Sequence, residues 1–168
     1  MTDDAKAAAE PDRDAARRIW AAYLQVHPEH GDDDPPSERF GDSAALADEL
    51  LGLVLHGPKR ATAEAVASFV HAGEPLPRIG GHWIVHDTAG APRAVLRSVD
   101  LRLGPLDSVD AQFARDEGED DRTRESWLRE HRRYFQRVLP RMGVDYHDQV
   151  EVVFERFRVV WPPEHADS

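Results

Sequence analysis

Trp83-Ile84-Val85-His86, then Asp87-Thr88-Ala89-Gly90-Ala91, then the run from Arg93 to Leu103, is where the chain changes period. Upstream, apolar residues recur at helical spacing. Here two β-prone runs flank a turn-forming segment, which is the pattern of a β-hairpin. In the second strand Val95, Arg97, Val99, Leu101 and Leu103 share one phase, so Arg97 points where its neighbours are apolar. A buried guanidinium needs a partner. Arg97 is therefore either an inward, ligand-facing charge or the mark of a bulge.

Helices surround this hairpin on both sides. Toward the N-terminus, Pro11-Asp12 opens a helix with Ile19, Trp20, Tyr23 and Leu24 on one face, ending near His27-Pro28. The stretch Glu29-His30-Gly31-Asp32-Asp33-Asp34-Pro35-Pro36 crowds a histidine among carboxylates. It lacks the alternate ligands and distant Glu of an EF-hand, so it reads as a solvated acidic linker without a metal. Asp42 or Ser43 caps a second helix with Leu46, Leu50, Leu53 and Val54 as its stripe, and Gly57-Pro58 stops it. Ala63 to Ala72 reads as a short third helix ended by Gly73, with Thr62 at or near its N-cap. Capping alone accounts for a threonine there. The free N–H groups of a helix start also favour an anion, whether phosphate or alkoxide.

Downstream, a helix begins at Asp107, and Val109, Phe113 and Glu117 fall at i, i+4 and i+8, so a carboxylate continues an apolar stripe. Such a Glu either marks where the stripe meets solvent or, if partly buried, has a raised pKa useful for acid–base work. After the polar break Gly118-Glu119-Asp120-Asp121, Thr123 caps a long helix. Trp127, His131, Phe135 and Leu139 form its stripe, which makes His131 a core histidine by position. Arg124, Arg129, Arg132, Arg133 and Arg137 face outward, as a solvated face or as phosphate contacts. Val150 to Trp161 is a final strand in which Glu155 shares a phase with Val153, Phe157, Val159 and Trp161. Because Val152 and Phe154 make the other phase apolar too, a bulge that turns Glu155 outward is favoured over a second inward carboxylate. Few strands separated by helices, with no nucleotide-cradling glycine motif, define an α+β class.

The chain has 168 residues, 40 % of them hydrophobic, with four Trp, six Phe and three Tyr, enough for the core of one domain. The net charge of −11 speaks against nucleic acid, but residues 1–38 contribute −6, residues 39–163 only −3, and residues 164–168 −2. No cysteine is present, so disulfides and thiolate metal sites are excluded. The start lacks the apolar run of a signal peptide, and no 18-residue apolar stretch occurs. A cytoplasmic protein with no membrane partner is the expectation. Lys59, in His56-Gly57-Pro58-Lys59-Arg60-Ala61-Thr62, is the only lysine after position 6 in a chain with nineteen arginines. An ammonium exchanges its proton near neutral pH when desolvated, which a guanidinium with a pKa above about 12 does not.

Phe40-Gly41-Asp42, Ala47-Asp48-Glu49-Leu50, Gly57-Pro58-Lys59-Arg60-Ala61-Thr62, Pro75-Leu76-Pro77, Phe113-Ala114-Arg115-Asp116-Glu117-Gly118-Glu119, Trp127, His131 and the closing strand together resemble the ASCH (ASC-1 homology) domain, in its small stand-alone bacterial branch. The resemblance covers roughly residues 14–162 and implies a PUA-like β-barrel with surrounding helices and a cleft for RNA or a modified nucleoside. It divides the chain into a flexible acidic N-terminus over 1–11, the domain over 12–163 and a tail over 164–168.

Family members are regarded as RNA-binding, some as ribonucleases. A related bacterial group hydrolyses the acetyl amide of N4-acetylcytidine with a Lys, a Thr three residues on and a downstream Glu. This implies Lys59, Thr62 and Glu117 as catalytic residues, with no cofactor or metal: Lys59 deprotonates Thr62, Thr62 attacks, and Glu117 protonates the leaving nitrogen. Arg97 stands where a small polar residue is expected. The competing class is a non-catalytic RNA-binding module, in which Arg60 and Arg129 contact phosphate and Trp83 or Trp127 stacks on a base. An interaction domain with no substrate is the third reading.

Overall fold

The computed structural model describes residues 8–168. Of the acidic segment expected to be flexible over 1–11, residues 1–7 lie outside the described residues. Ala9 N donates to Thr88 O at 2.9 Å, and Asp12 N donates to Gly90 O at 2.8 Å. The chain divides into two compact units: one holds the residues up to Gly57 with Gly80–Arg97 and Arg158–Ser168, the other Pro58–Ile79 with Ser98–Phe157.

In the first unit, α1 (Arg13–Val26) starts where the Asp12 carboxylate accepts from Ala15 N. Helix α2 (Ala44–His56) starts where Ser43 Oγ accepts from Leu46 N. Strand β1 (Ser37–Glu38) pairs parallel with β3 (His82–His86), and β3 pairs antiparallel with β4 (Pro92–Pro105). The expected hairpin is thus present, and the Asp87 carboxylate accepts from Ala89 N and Ala91 N to hold its turn. Val85 pairs with Ala94 but His86 with Pro92, so the irregularity falls at Arg93 and not at Arg97. Tyr23, Ile84 and Val95 form the core here, with Trp20, Leu24 and Trp161 against it.

In the second unit, β2 (Ala61–Ala65) pairs antiparallel with β5 (Glu151–Trp161), and α3 (Val66–Ala72) follows. This corrects the expected helix from Ala63: Thr62 is a strand residue, not a cap, and Ala65 at the helix start makes no side-chain cap bond. An alanine-rich run favours helix locally by only a few tenths of a kcal/mol per residue. Ladder hydrogen bonds to β5 and burial of Ala61 and Ala65 outweigh that preference. Helix α4 (Ala111–Glu117) is capped by Asp110, after a 3₁₀ turn over Leu106–Ser108, so it begins later than Asp107. Helix α5 (Arg124–Val138) is capped by Thr123 as expected. Phe113 meets Phe154 edge-on at 5.1 Å between ring centroids, inside a core that includes Leu106, Trp127, Phe135 and Val152. Each such large side chain contributes about 1.5–3 kcal/mol by its removal from water.

The strands order as β1-β3-β4-β5-β2 in one mixed sheet. The described residues also form five α-helices, the expected α+β class, and their strand pairing leaves the sheet open between β1 and β2. No helix among the described residues is long and apolar enough to cross a membrane.

Candidate functional site

Gly118 ends α4 with φ +73°, the left-handed conformation of a helix C-cap. A Cβ added there would lie 2.8 Å from Lys59 N and 2.9 Å from Lys59 Cα. Glycine is needed because the turn after α4 lies directly on the Lys59 backbone, and Arg60 N donates to Asp116 O at 2.8 Å beside it. This contact brings Glu117 and Glu119, which flank the glycine, up to the lysine.

Lys59 Nζ donates to Glu119 Oε1 at 2.6 Å and to Ala61 O at 2.9 Å, and approaches Glu117 O at 3.5 Å. Its side chain is 1 % exposed, and that of Glu119 is 27 % exposed. Glu117 is buried as well, and its Oε2 lies 3.5 Å from His131 Nε2, a charge contact longer than an ordinary hydrogen bond. His131 Nδ1–H donates to Trp127 O at 2.9 Å, and its ring stacks on the Trp127 indole at 3.6 Å and 10°. The expected stripe position of His131 is thus correct, but the residue is also an electrostatic partner of Glu117.

The two carboxyls are driven apart. Burial pushes Glu119 up, against the opposing Lys59 charge. Burial also opposes the charge of Glu117, yet His131 and then Lys59 outweigh it and hold this carboxyl below its usual range. Burial works against a charged His131, but the Glu117 carboxylate raises its pKa. A buried set of titratable groups separated in this way is characteristic of functional sites.

Thr62 is the register partner of Glu155 across β2 and β5, so both side chains project from the same sheet face. Glu155 is buried and accepts from Ser98 Oγ. The favoured outward bulge is therefore corrected: the β2·β5 register runs unbroken from Ala61↔Arg156 to Ala65↔Val152, and the Ser98 hydroxyl supplies the donor that lets a carboxylate turn inward.

The other expected contact residues are placed differently. Arg60 is partly buried and its Nη1 donates to Lys59 O at 2.7 Å. Trp127 is buried with His131 on one face. Trp83 lies in the first unit, buried edge-on against Phe40 at 5.4 Å. Neither indole presents an exposed ring for stacking. Arg97, also in the first unit, pairs in register with His82 and donates through Nε to Gly80 O at 3.3 Å. Arg129 donates to Glu130 and Ser126, Arg132 to Asp148, Arg133 to Glu130, and Arg124 to the carbonyls of Val109 and Asp107. Sequence reasoning missed Glu119 as the Lys59 partner. The glycine between two glutamates was the available signal, because a left-handed C-cap takes the next residue off the helical period.

The sequence model of the ASCH domain matches residues 37–161. A crystal structure of an ASCH domain from Lactobacillus crispatus superposes with a TM-score of 0.81 at 23 % identity, covering 89 % of this chain and 96 % of that one. A crystal structure of a protein from Enterococcus faecalis has a TM-score of 0.77 at 27 % identity, with 88 % of each chain covered. Among curated proteins none matches the sequence.

Proposed function

Because this chain belongs to the ASCH domain family, generally regarded as RNA-binding, we propose that it binds RNA or a modified nucleobase and hydrolyses the acetyl amide of N4-acetylcytidine, with Lys59, Thr62 and Glu119 as its catalytic residues. The observation that carries this reading is the 2.6 Å contact between the buried Lys59 Nζ and the part-buried Glu119 Oε1. Burying charges costs several kcal/mol per ion unless a task or excellent pairing offsets it.

Amide hydrolysis needs a nucleophile, a base for it and an acid for the leaving amine. The Lys59 ammonium passes a proton to Glu119, a transfer favoured by burial of that carboxylate. The resulting amine takes the Thr62 hydroxyl proton as the oxygen attacks the acetyl carbonyl. Collapse of the tetrahedral adduct breaks the C–N bond, and the Glu119 proton goes to the departing cytosine N4. Water repeats the sequence on the acetyl-Thr62 ester: its proton goes to Lys59, the Thr62 oxygen recovers one from Glu119, and acetate leaves. Glu117, the acid that the resemblance implied, stays ionised beside His131 and is poorly suited to donate. Its role is to hold positive charge at Lys59.

The test is release of acetate and cytidine from N4-acetylcytidine, followed by chromatography. Lys59→Ala and Glu119→Gln should abolish turnover, while Glu117→Gln should retain more of it. No turnover above the uncatalysed rate on nucleoside, base or acetylated RNA would overturn the hydrolase reading. One observation favours a non-catalytic RNA-binding module instead: the Lys59 ammonium already faces Ala61 O, Glu119 and Glu117 O, as a purely structural charge would. In that case RNA affinity survives in Glu119→Gln.

A further inference from the structure

Helix α1 runs directly into a 3₁₀ turn over Pro28–His30. Residues three apart on such a turn stand over one another. The His27 and His30 rings accordingly lie 6.0 Å apart at 23°. One ring nitrogen of each histidine and a Glu29 carboxylate oxygen all lie within 4.8 Å of one another. Two imidazoles and a carboxylate are a donor set for Zn²⁺ and similar borderline ions, with a further position left for water.

A second observation is independent of that cluster. The Asp33 Oδ2 atom accepts from His82 N at 2.9 Å and lies 2.7 Å from His82 Nδ1. A carboxylate only accepts, so His82 Nδ1 carries hydrogen. The buried His82 ring in turn has its Nε2 3.1 Å from the Tyr23 hydroxyl. The same Tyr23 oxygen lies 2.8 Å from His30 Nδ1. Anchored there through Nδ1, the His30 ring keeps Nε2 for an ion. An N–H of the ligating ring anchored to an oxygen, and that oxygen anchored in turn, is the outer shell that metal-binding histidines use.

We propose that His27, Glu29 and His30 form a site for one Zn²⁺-class divalent ion, with Tyr23, His82 and Asp33 as its orienting shell. The 3.4 Å contact of His27 Nδ1 with Glu29 Oε1 already brings two donors together without the ion, and coordination replaces it. The site takes in Glu29 and His30, the first residues of the acidic stretch, and so departs from the metal-free reading of that stretch. All the participating residues belong to the first unit, so the proposal stands apart from the Lys59 corner.

The experiment uses the untagged full chain stripped with chelator, titrated with Zn²⁺ by calorimetry and with Co²⁺ by visible absorption. One equivalent should bind and raise the thermal midpoint. His27→Ala and His30→Ala should each abolish this, and Tyr23→Phe should weaken affinity about 10–100-fold, the usual effect of losing an outer-shell partner. Glu29→Gln changes an exposed side chain, so it leaves folding intact and should weaken binding. The double variant His56→Ala with His165→Ala removes another histidine pair, with ring centroids 5.1 Å apart, and should change nothing. Absence of binding by wild type, survival of the one-equivalent phase in His30→Ala, or unchanged affinity in Glu29→Gln would overturn the proposal.

Discussion

Lys59 Nζ and Glu119 Oε1 lie 2.6 Å apart, with the lysine side chain 1 % exposed. Deleting the lysine leaves the part-buried Glu119 carboxylate uncompensated. Lys59→Met should therefore destabilise the protein by about 3 kcal/mol, and the double variant Lys59→Met with Glu119→Met should recover much of that loss. Urea denaturation of both variants checks this. A double variant no more stable than the single would show that Glu119 is not the group that the lysine compensates.

Gly118→Ala should be costly for two separate reasons. Its φ of +73° is unfavourable for a side chain, at roughly 1–3 kcal/mol, and the new Cβ would meet the Lys59 backbone at 2.8 Å. The atom met is backbone, so it cannot swing away. Thermal unfolding and turnover should both fall. Full activity in a stable Gly118→Ala protein would mean that the turn after α4 does not set the position of Lys59.

The Glu117–His131 contact predicts a stability optimum with two limbs. Glu117 has a lowered folded pKa, so its contribution is complete above its ordinary 4.5 and is lost as pH falls through the lowered value. His131 has a raised folded pKa, so its contribution is complete below its ordinary 6.5 and is lost as pH rises through the raised value. Both are complete between 4.5 and 6.5. Glu119, raised by burial, lets stability fall as pH rises from its ordinary 4.5 through the raised value, so it tilts that window downward. Melting temperatures of wild type and His131→Gln across pH 5–9 decide the matter: the variant should flatten the alkaline limb, and an identical limb would remove His131 from the account.

Arg129, Arg132 and Arg133 are already matched by Glu130, Ser126 and Asp148. A free Arg face would contribute a salt slope of roughly 0.7 per phosphate contact on a single strand. Replacing all three by Ala should instead change the slope of RNA binding by less than about one unit, since these guanidinium groups would have to leave existing acceptors. Fluorescence anisotropy over a salt series measures it. A drop of two units would place phosphate on this helix after all.

The elements that the sequence alone determined are those whose signals are local. Asp12, Ser43 and Thr123 cap their helices because a short oxygen side chain reaches an N–H three residues on, whatever the rest of the fold does. The hairpin turn at Asp87 to Ala91 is equally self-contained, since Asp87 binds the turn's own amides. The motif around Lys59 and Glu117 was legible by resemblance, and the domain match over 37–161 bears out the family.

What depended on partners distant in sequence was decided only by the tertiary structure. Ala61 to Ala65 is a strand because β5 offers it a ladder, and nothing in Ala-Thr-Ala-Glu-Ala announces that. Glu155 turns inward because Ser98 meets it with a donor from 57 positions away. Glu119 replaces Glu117 as the lysine's partner because Gly118 leaves the helix in a left-handed turn and brings the next carboxylate back to Lys59. Local hydrogen bonds are encoded within a few residues, whereas the sign of a residue's environment, buried or exposed, paired or bare, belongs to whatever the fold sets opposite it.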